Sequence, residues 1–166
     1  FPMAPINERM VLRSNALAPY HKDFSYNEAV VTGSGVVGEF GARALAATGR
    51  IGSFVLRFPS LIRLLENKVL PKPGEGPSPE AQAQGFFDLR FFGSTSGGKK
   101  VAVKVAGHGD PGYASTAKML SQAAVSLALD VSKAEKSGGF WTPATVFDER
   151  LIERLELYAE MKFELL

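Results

Sequence analysis

Two stretches in the second half of the chain alternate apolar and polar residues across a short turn. Residues 86–93 read Phe-Phe-Asp-Leu-Arg-Phe-Phe-Gly, which puts Phe87, Leu89 and Phe91 on one side and Asp88 and Arg90 on the other. Residues 99–106 read Lys-Lys-Val-Ala-Val-Lys-Val-Ala, with Val101, Val103 and Val105 turned inward. A period of two is the signature of a strand with one buried face. The five residues between them, Ser-Thr-Ser-Gly-Gly, are turn formers. An antiparallel hairpin follows. Whatever else the chain does, it must supply a cover for that apolar face.

The remaining segments offer mostly helices. Residues 1–6 are expected to be extended because Pro2 and Pro5 oppose helix. Asn7 is placed to cap a short helix over 8–18, ended by Pro19. Residues 23–32, with Phe24, Tyr26, Val30 and Val31, read as a strand. Residues 33–70 form the longest helical stretch, weakened at Gly49 and Gly52 and broken or kinked at Pro59, with a second piece over 60–69. Residues 70–85 hold four prolines and three glycines and read as a surface loop in which Ser78 caps one turn at 79–84.

Beyond the hairpin, Asp110-Pro111 is expected to open a helix that is apolar on more than one side and therefore buried. A polar loop at 133–139 leads to a last helix over 144–160, with Leu151, Ile152, Leu155 and Tyr158 as its apolar stripe and Arg150, Glu153, Arg154 and Glu156 outside. Residues 161–166 close as a short strand. The mixture predicts an α+β fold, a mixed and largely antiparallel sheet with helices packed on one face. At 166 residues, the chain is expected to form a single domain, 1–166, with a core of its own.

Several classes of chemistry drop out. With no cysteine there is no disulfide, thiolate metal site or cysteine nucleophile. A net charge of +2 gives nucleic acid no electrostatic footprint. The two histidines, His21 and His108, read as turn and surface residues. His108 and Asp110 lack the G-x-S-x-G elbow of a hydrolase, and no ligand spacing for a metal is present. A start at Phe1-Pro2 rather than Met is expected of a piece of a longer protein or of a processed product.

Four stretches remain as candidates. Gly33-Ser34-Gly35-Val36-Val37-Gly38 has the spacing with which a helix start cradles a pyrophosphate. The acidic residue expected roughly 20 positions later is missing, and Arg57 stands in that region instead. A Gly-rich turn packed against a sheet is the plainer reading. Residues 51–70 are apolar with interspersed Arg57, Arg63 and Lys68, a pattern open to a membrane surface, a partner or a core helix. The turn from Val105 to Met119 gathers Asp110, Tyr113, Ser115, Thr116 and Lys118 at a strand-to-helix junction. The turn at 138–144 holds Trp141, the one tryptophan, and Thr142 before Pro143, a natural helix cap.

Three blocks, in order, carry a resemblance. They are Arg13-Ser14 within VLRSNAL, the run from Gly109-Asp110-Pro111-Gly112-Tyr113 through Lys118-Met119, and Gly138-Gly139 to Thr142-Pro143-Ala144 followed by Leu151-Ile152-Glu153-Arg154-Leu155. The LPKPGEGPS loop before a Phe-rich strand is similar too. Together they resemble the C-terminal part of saccharopine dehydrogenase-like oxidoreductases, a group that includes the bacterial trans-acting enoyl reductases. The resemblance implies a second, substrate-binding and dimerising domain whose N-terminal Rossmann partner, the NAD(P) binder, lies elsewhere in the same protein. It therefore removes Gly33, Gly35 and Gly38 from consideration as cofactor glycines. It assigns no catalytic residue here. It implies a substrate-facing set instead: Arg13 for a carboxylate or phosphate, with Tyr113, Lys118, Trp141 and Thr142 lining a cleft whose helix start is fixed by Asp110. The protein it implies is an NAD(P)-dependent oxidoreductase with a homodimer as its assembly, and this piece is inactive alone; the lack of cysteine fits a reducing compartment, and a cytoplasmic location is expected. The rival expectation is a non-catalytic dimerisation or membrane-surface module using residues 51–70.

Overall fold

The structure is a computed structural model that describes residues 1–55, 57–60, 62–63 and 74–166. These fall into two compact units, Phe1–Glu75 and Gly76–Leu166. Their described residues together carry six helices and one three-stranded antiparallel sheet, an α+β fold as expected.

In the first unit, helix α1 spans Ala4–Leu17, four residues earlier than the sequence suggests. Pro5 does not prevent this because it occupies the first turn, where its missing N–H has no intrahelical partner to lose. The helix stops where predicted: Ala18, before Pro19, is extended. Asn15 then holds the exit, its Oδ1 accepting from the Tyr20 N–H at 2.7 Å and the His21 N–H at 3.2 Å.

Residues 23–32 form no strand: among the described residues none offers them a ladder. Side chains tie the segment down instead. Glu28 accepts from Asn7 Nδ2 and from the Tyr26 hydroxyl, each at 3.0 Å. Burial, and then that hydrogen bond to Glu28, push the Tyr26 phenol up to about 12. Helix α2, Gly35–Val55, runs straight through Gly49 and Gly52. The helical piece expected over 60–69 lies largely outside the described residues; within it, residues 60, 62 and 63 are helical.

The second unit is built on the hairpin. Helix α3, Pro79–Gln84, is capped by Ser78, whose Oγ accepts from the Ala81 N–H at 3.2 Å. Strand β1, Phe86–Ser94, pairs antiparallel with β2, Lys100–His108, with Leu89 opposite Val105 and Phe91 opposite Val103. Strand β3, Met161–Leu165, pairs with the other edge of β2, placing Phe163 opposite Val105. Thus β2 is central, and one sheet face reads Phe87, Leu89, Phe91, Val101, Val103, Val105, Met161, Phe163 and Leu165.

Helices cover one end of that face. Leu155 and Ala159, from helix α6 (Arg150–Tyr158), bury with Met161 against Phe87, Val105, Leu151 and Phe163. Met119, from helix α4 (Ala114–Leu129), completes the cluster. The outer end of the face is uncovered, with Leu89, Phe91 and Val101 between 40% and 49% exposed.

Four expectations need correction. Helix α4 begins at Ala114, because Asp110 and Pro111 are used in the turn before it. Its leucines are not the buried side: Leu120 and Leu129 are 70% and 75% exposed, whereas Ser115 and Ser126 are fully enclosed. Ser115, Met119, Gln122 and Ser126 recur every three or four residues as the inward seam, and the two serines in it let α4 approach α6. The last helix is two pieces, α5 (Pro143–Val146) and α6, separated at Asp148, which has a left-handed φ of 53°. Arg154, expected on the outside, instead grips Asp130 with Nε to Oδ2 at 2.5 Å and Nη2 to Oδ1 at 2.9 Å. Arg150 joins this clamp, donating to the Asp130 carbonyl at 2.9 Å and pairing with Glu135.

Truncating Leu155→Ala should destabilise the second unit by roughly 2–4 kcal/mol, because few other side chains can refill so small a cluster. Urea unfolding followed at Trp141 measures it. The Asp130 clamp also predicts an acid limb. The hydrogen bond from Arg154 holds the Asp130 carboxyl at about 2, below its ordinary 3.8. A depressed carboxyl stabilises the fold above its unfolded value and loses that contribution as pH falls through the folded one. Melting temperature should therefore drop between about pH 4 and pH 2, and Asp130→Asn should flatten that step.

Candidate functional site

The strand-to-helix turn after β2 is held by its own backbone. The Gly109 N–H donates to the Gly85 carbonyl and the Asp110 N–H to the Gln82 carbonyl, both at 2.8 Å. Gly109 takes a φ of +94°, a conformation that favours glycine. Gly85 is equally constrained, since a Cβ there would stand 2.5 Å from the Asp110 backbone. Asp110 closes the turn: its Oδ2 accepts from the Tyr113 N–H at 2.7 Å, and its carbonyl accepts from the Ser115 N–H at 2.9 Å. The Thr116 hydroxyl donates to the Pro111 carbonyl at 2.6 Å. These bonds occupy donors that a helix start would otherwise leave open.

Fixing the turn opens a cleft of about 480 Å³ between α3, the end of β2 and the start of α4. Its walls are Pro79, Gln82, Ala83, His108, Lys118 and Glu160, with Gly109 and Ala114 at its base. A volume of this order suits a small molecule or one arm of a larger one. The polar groups converge on one side. Lys118 Nζ donates to the Glu160 carboxylate, and the Glu160 carbonyl accepts from the His108 N–H at 3.4 Å. Glu160 carries a left-handed φ of 55°, an uncommon state for a residue with a side chain, and it turns helix α6 into β3 at this point. The Lys118 hydrogen bond and charge hold the Glu160 carboxyl below its ordinary range; His108 adds to the effect.

The expected site residues separate. Arg13 lies exposed on α1, in the first unit. Lys118 lines the cleft. Asp110 and Tyr113 shape the turn beside it, and the Tyr113 ring lies against Gly76. Trp141 and Thr142 are not among the residues lining the cleft. The Trp141 indole N–H donates to the Ser137 carbonyl at 2.9 Å, and the Lys136 ammonium stands 5.8 Å from its ring centre. Thr142 is 2% exposed, and its hydroxyl lies 3.0 Å from that of Thr145 in a capping box at the start of α5. It is a cap, as its place before Pro143 predicts.

Of the cleft residues, the sequence does not single out Glu160, and it reads His108 as a turn or surface residue. They meet because β2 and β3 pair across more than fifty residues, and only that register aligns them. Among the described residues no group of three metal-ligating side chains occurs. The Gly33–Gly38 turn is not followed or preceded by a strand. It closes on itself: a Cβ at Gly38 would lie 2.4 Å from the Gly33 carbonyl, and the Thr32 hydroxyl donates to the Gly38 carbonyl at 2.8 Å. The strand-turn-helix cradle of a dinucleotide site is therefore absent there.

Over 93% of its length, the chain is similar to mycobacterial proteins. A Mycobacterium tuberculosis protein provisionally named a trans-acting enoyl reductase is 36% identical over 162 residues. A trans-acting enoyl reductase of Mycobacterium bovis is 36% identical over 159 residues, and one of Mycobacterium ulcerans is 33% identical over 159. The chain spans 38% of the length of each of these relatives. The similarity supports an enoyl reductase-like family and the likeness of this chain to one part of a larger, oxidoreductase-like protein. No family model and no solved structure matches it. Among the described residues, no helix is long and apolar enough to cross a membrane.

The ion pair in the cleft makes a specific prediction. Lys118→Met should return the Glu160 carboxyl toward its ordinary titration range, seen as an upward shift in its carbon NMR titration with the fold retained.

Proposed function

We propose that the chain is the substrate-side part of an NAD(P)-dependent, enoyl reductase-like oxidoreductase. The observation that carries this reading is the similarity over 93% of the chain to part of the trans-acting enoyl reductases. The nicotinamide is supplied by a Rossmann domain of the same protein, and hydride transfer is the cofactor's chemistry. This chain's task is to hold the acceptor beside it. Lys118 and His108 offer hydrogen-bond donors in a cleft where the Glu160 carboxylate balances the lysine. The set orients a polar group of the substrate without itself moving a hydride. Arg13, in the first unit, is proposed separately as a donor to a carboxylate or phosphate. Saccharopine dehydrogenase-like ancestry fits the same division of labour.

Two measurements test this. Fluorescence titration of the 166-residue chain with NADPH and NADH should give no saturable binding in the micromolar range. Saturable binding there overturns the division of labour. A chimera in which this chain replaces the matching segment of the Mycobacterium tuberculosis relative should bind NAD(P)H and reduce an enoyl thioester. In that chimera Lys118→Ala should raise KM severalfold with little change in cofactor affinity. A chimera that binds cofactor but reduces no enoyl substrate counts against the proposal.

One observation favours the rival reading as a surface-docking module: Ile51 and Phe54, at the end of α2, are 63% and 59% exposed. Co-sedimentation with anionic vesicles separates the two, since negligible binding that is unchanged by Arg57→Glu and Arg63→Glu removes the membrane version.

A further inference from the structure

Strand β1 is the edge of the sheet, and nothing among the described residues pairs with its outer side. The edge is nine residues long and carries no proline, and its pairing with β2 runs from Phe86 to Ser94 without a bulge. Natural edges are ordinarily blunted by such devices.

Its backbone is set for another partner. On the side of β2, the Gly109 N–H donates to the Gly85 carbonyl and the Thr95 N–H to the Lys99 carbonyl. Both bonds fall on odd-numbered residues of this strand, and antiparallel pairs alternate between bonded and non-bonded. So residues 87, 89 and 91 spend their N–H and C=O groups on β2. Phe86, Asp88, Arg90 and Phe92 direct theirs outward.

The side chains repeat the message. Residues 86–92, Phe-Phe-Asp-Leu-Arg-Phe-Phe, read the same in both directions about Leu89, except that the acid on one side is answered by a base on the other. Antiparallel pairing of this strand with itself about a two-fold axis at Leu89 sets Asp88 opposite Arg90 of the second copy, twice over. It sets Phe87 opposite Phe91 on the apolar face and Phe86 opposite Phe92 on the other. Phe86 and Phe92 are 73% and 77% exposed without it. Moving the axis to Asp88 or Arg90 would put like charges face to face, and moving it to Phe87 or Phe91 would lose both Asp–Arg pairs, so the charges favour the register about Leu89.

We infer that two copies of this chain join edge to edge through β1, with Leu89 on the two-fold axis, to make a continuous six-stranded antiparallel sheet. The interface is isologous, as a self-complementary strand requires. It extends the apolar face formed by Phe87, Leu89 and Phe91 across both copies.

The test uses charge reversal and the absence of native cysteine. Sedimentation velocity of the wild-type chain should show a concentration-dependent dimer. Arg90→Asp and Asp88→Arg should each weaken it about tenfold or more, since each puts like charges opposite one another in two symmetric pairs. The double variant Asp88→Arg/Arg90→Asp should restore it, because the pairs are opposite again. Independently, Leu89→Cys should oxidise to a disulfide-linked dimer, since directly opposed non-bonded residues place their Cα atoms about 4.5 Å apart. Phe91→Cys should not, because it faces residue 87 of the second copy. A wild-type chain that stays monomeric, as it would if another polypeptide segment covers this edge, overturns the inference. So does a dimer indifferent to the single reversals, or equal crosslinking through Cys at 89 and 91.

Discussion

Strand β2 forms hydrogen-bonded ladders along both edges, and the second unit takes its geometry from that double use. Odd-numbered residues answer β1 and even-numbered ones answer β3, as the Gly109-to-Gly85 and His108-to-Glu160 bonds show. One face of the resulting sheet is wholly apolar. It is covered where helices are brought back over it, chiefly by leading α6 directly into β3. Leu155, Ala159 and Met161 then bury together within seven residues of sequence. The Arg154 clamp on Asp130 draws α4 onto the same place. Core, helix packing and the position of Glu160 are thus consequences of one short return path.

What could be read in advance follows the range of the forces involved. The hairpin was legible because its alternation and its turn are local. The cap at Ser78 and the one at Thr142 were legible for the same reason, since each side chain bonds within three residues of itself. The segment 23–32 misled because β-propensity describes fitness for a sheet without providing a neighbour. In helix α4, leucine content does not mark the buried side. The buried side was chosen by the small residues Ser115 and Ser126, which allow α6 to approach, while Leu120 and Leu129 remain outside. The break at Asp148 carries no glycine or proline to announce it.

The candidate site divides along the same line. Asp110 and Lys118 could be singled out from a turn leading into a helix. Asp110 proved to be the turn's internal fastener, and Lys118 the cleft's cation. His108 and Glu160 could not be found as a pair, because their meeting depends on the β2–β3 register. Trp141 and Thr142 look functional in sequence for reasons that are structural: an indole N–H and a buried hydroxyl each need a bond, and both find one in the turn they belong to.

That distinction bears on how such a cleft would work. Lys118 is not an open cation awaiting an anion, because Glu160 already accepts from it. A ligand that takes the lysine must leave Glu160 with another partner or displace it. A fully charged anion would win the lysine at the cost of repulsion from the carboxylate. A carbonyl oxygen could share the ammonium, which has three donors, without breaking the pair. The cleft therefore favours a neutral, polarised oxygen over a phosphate.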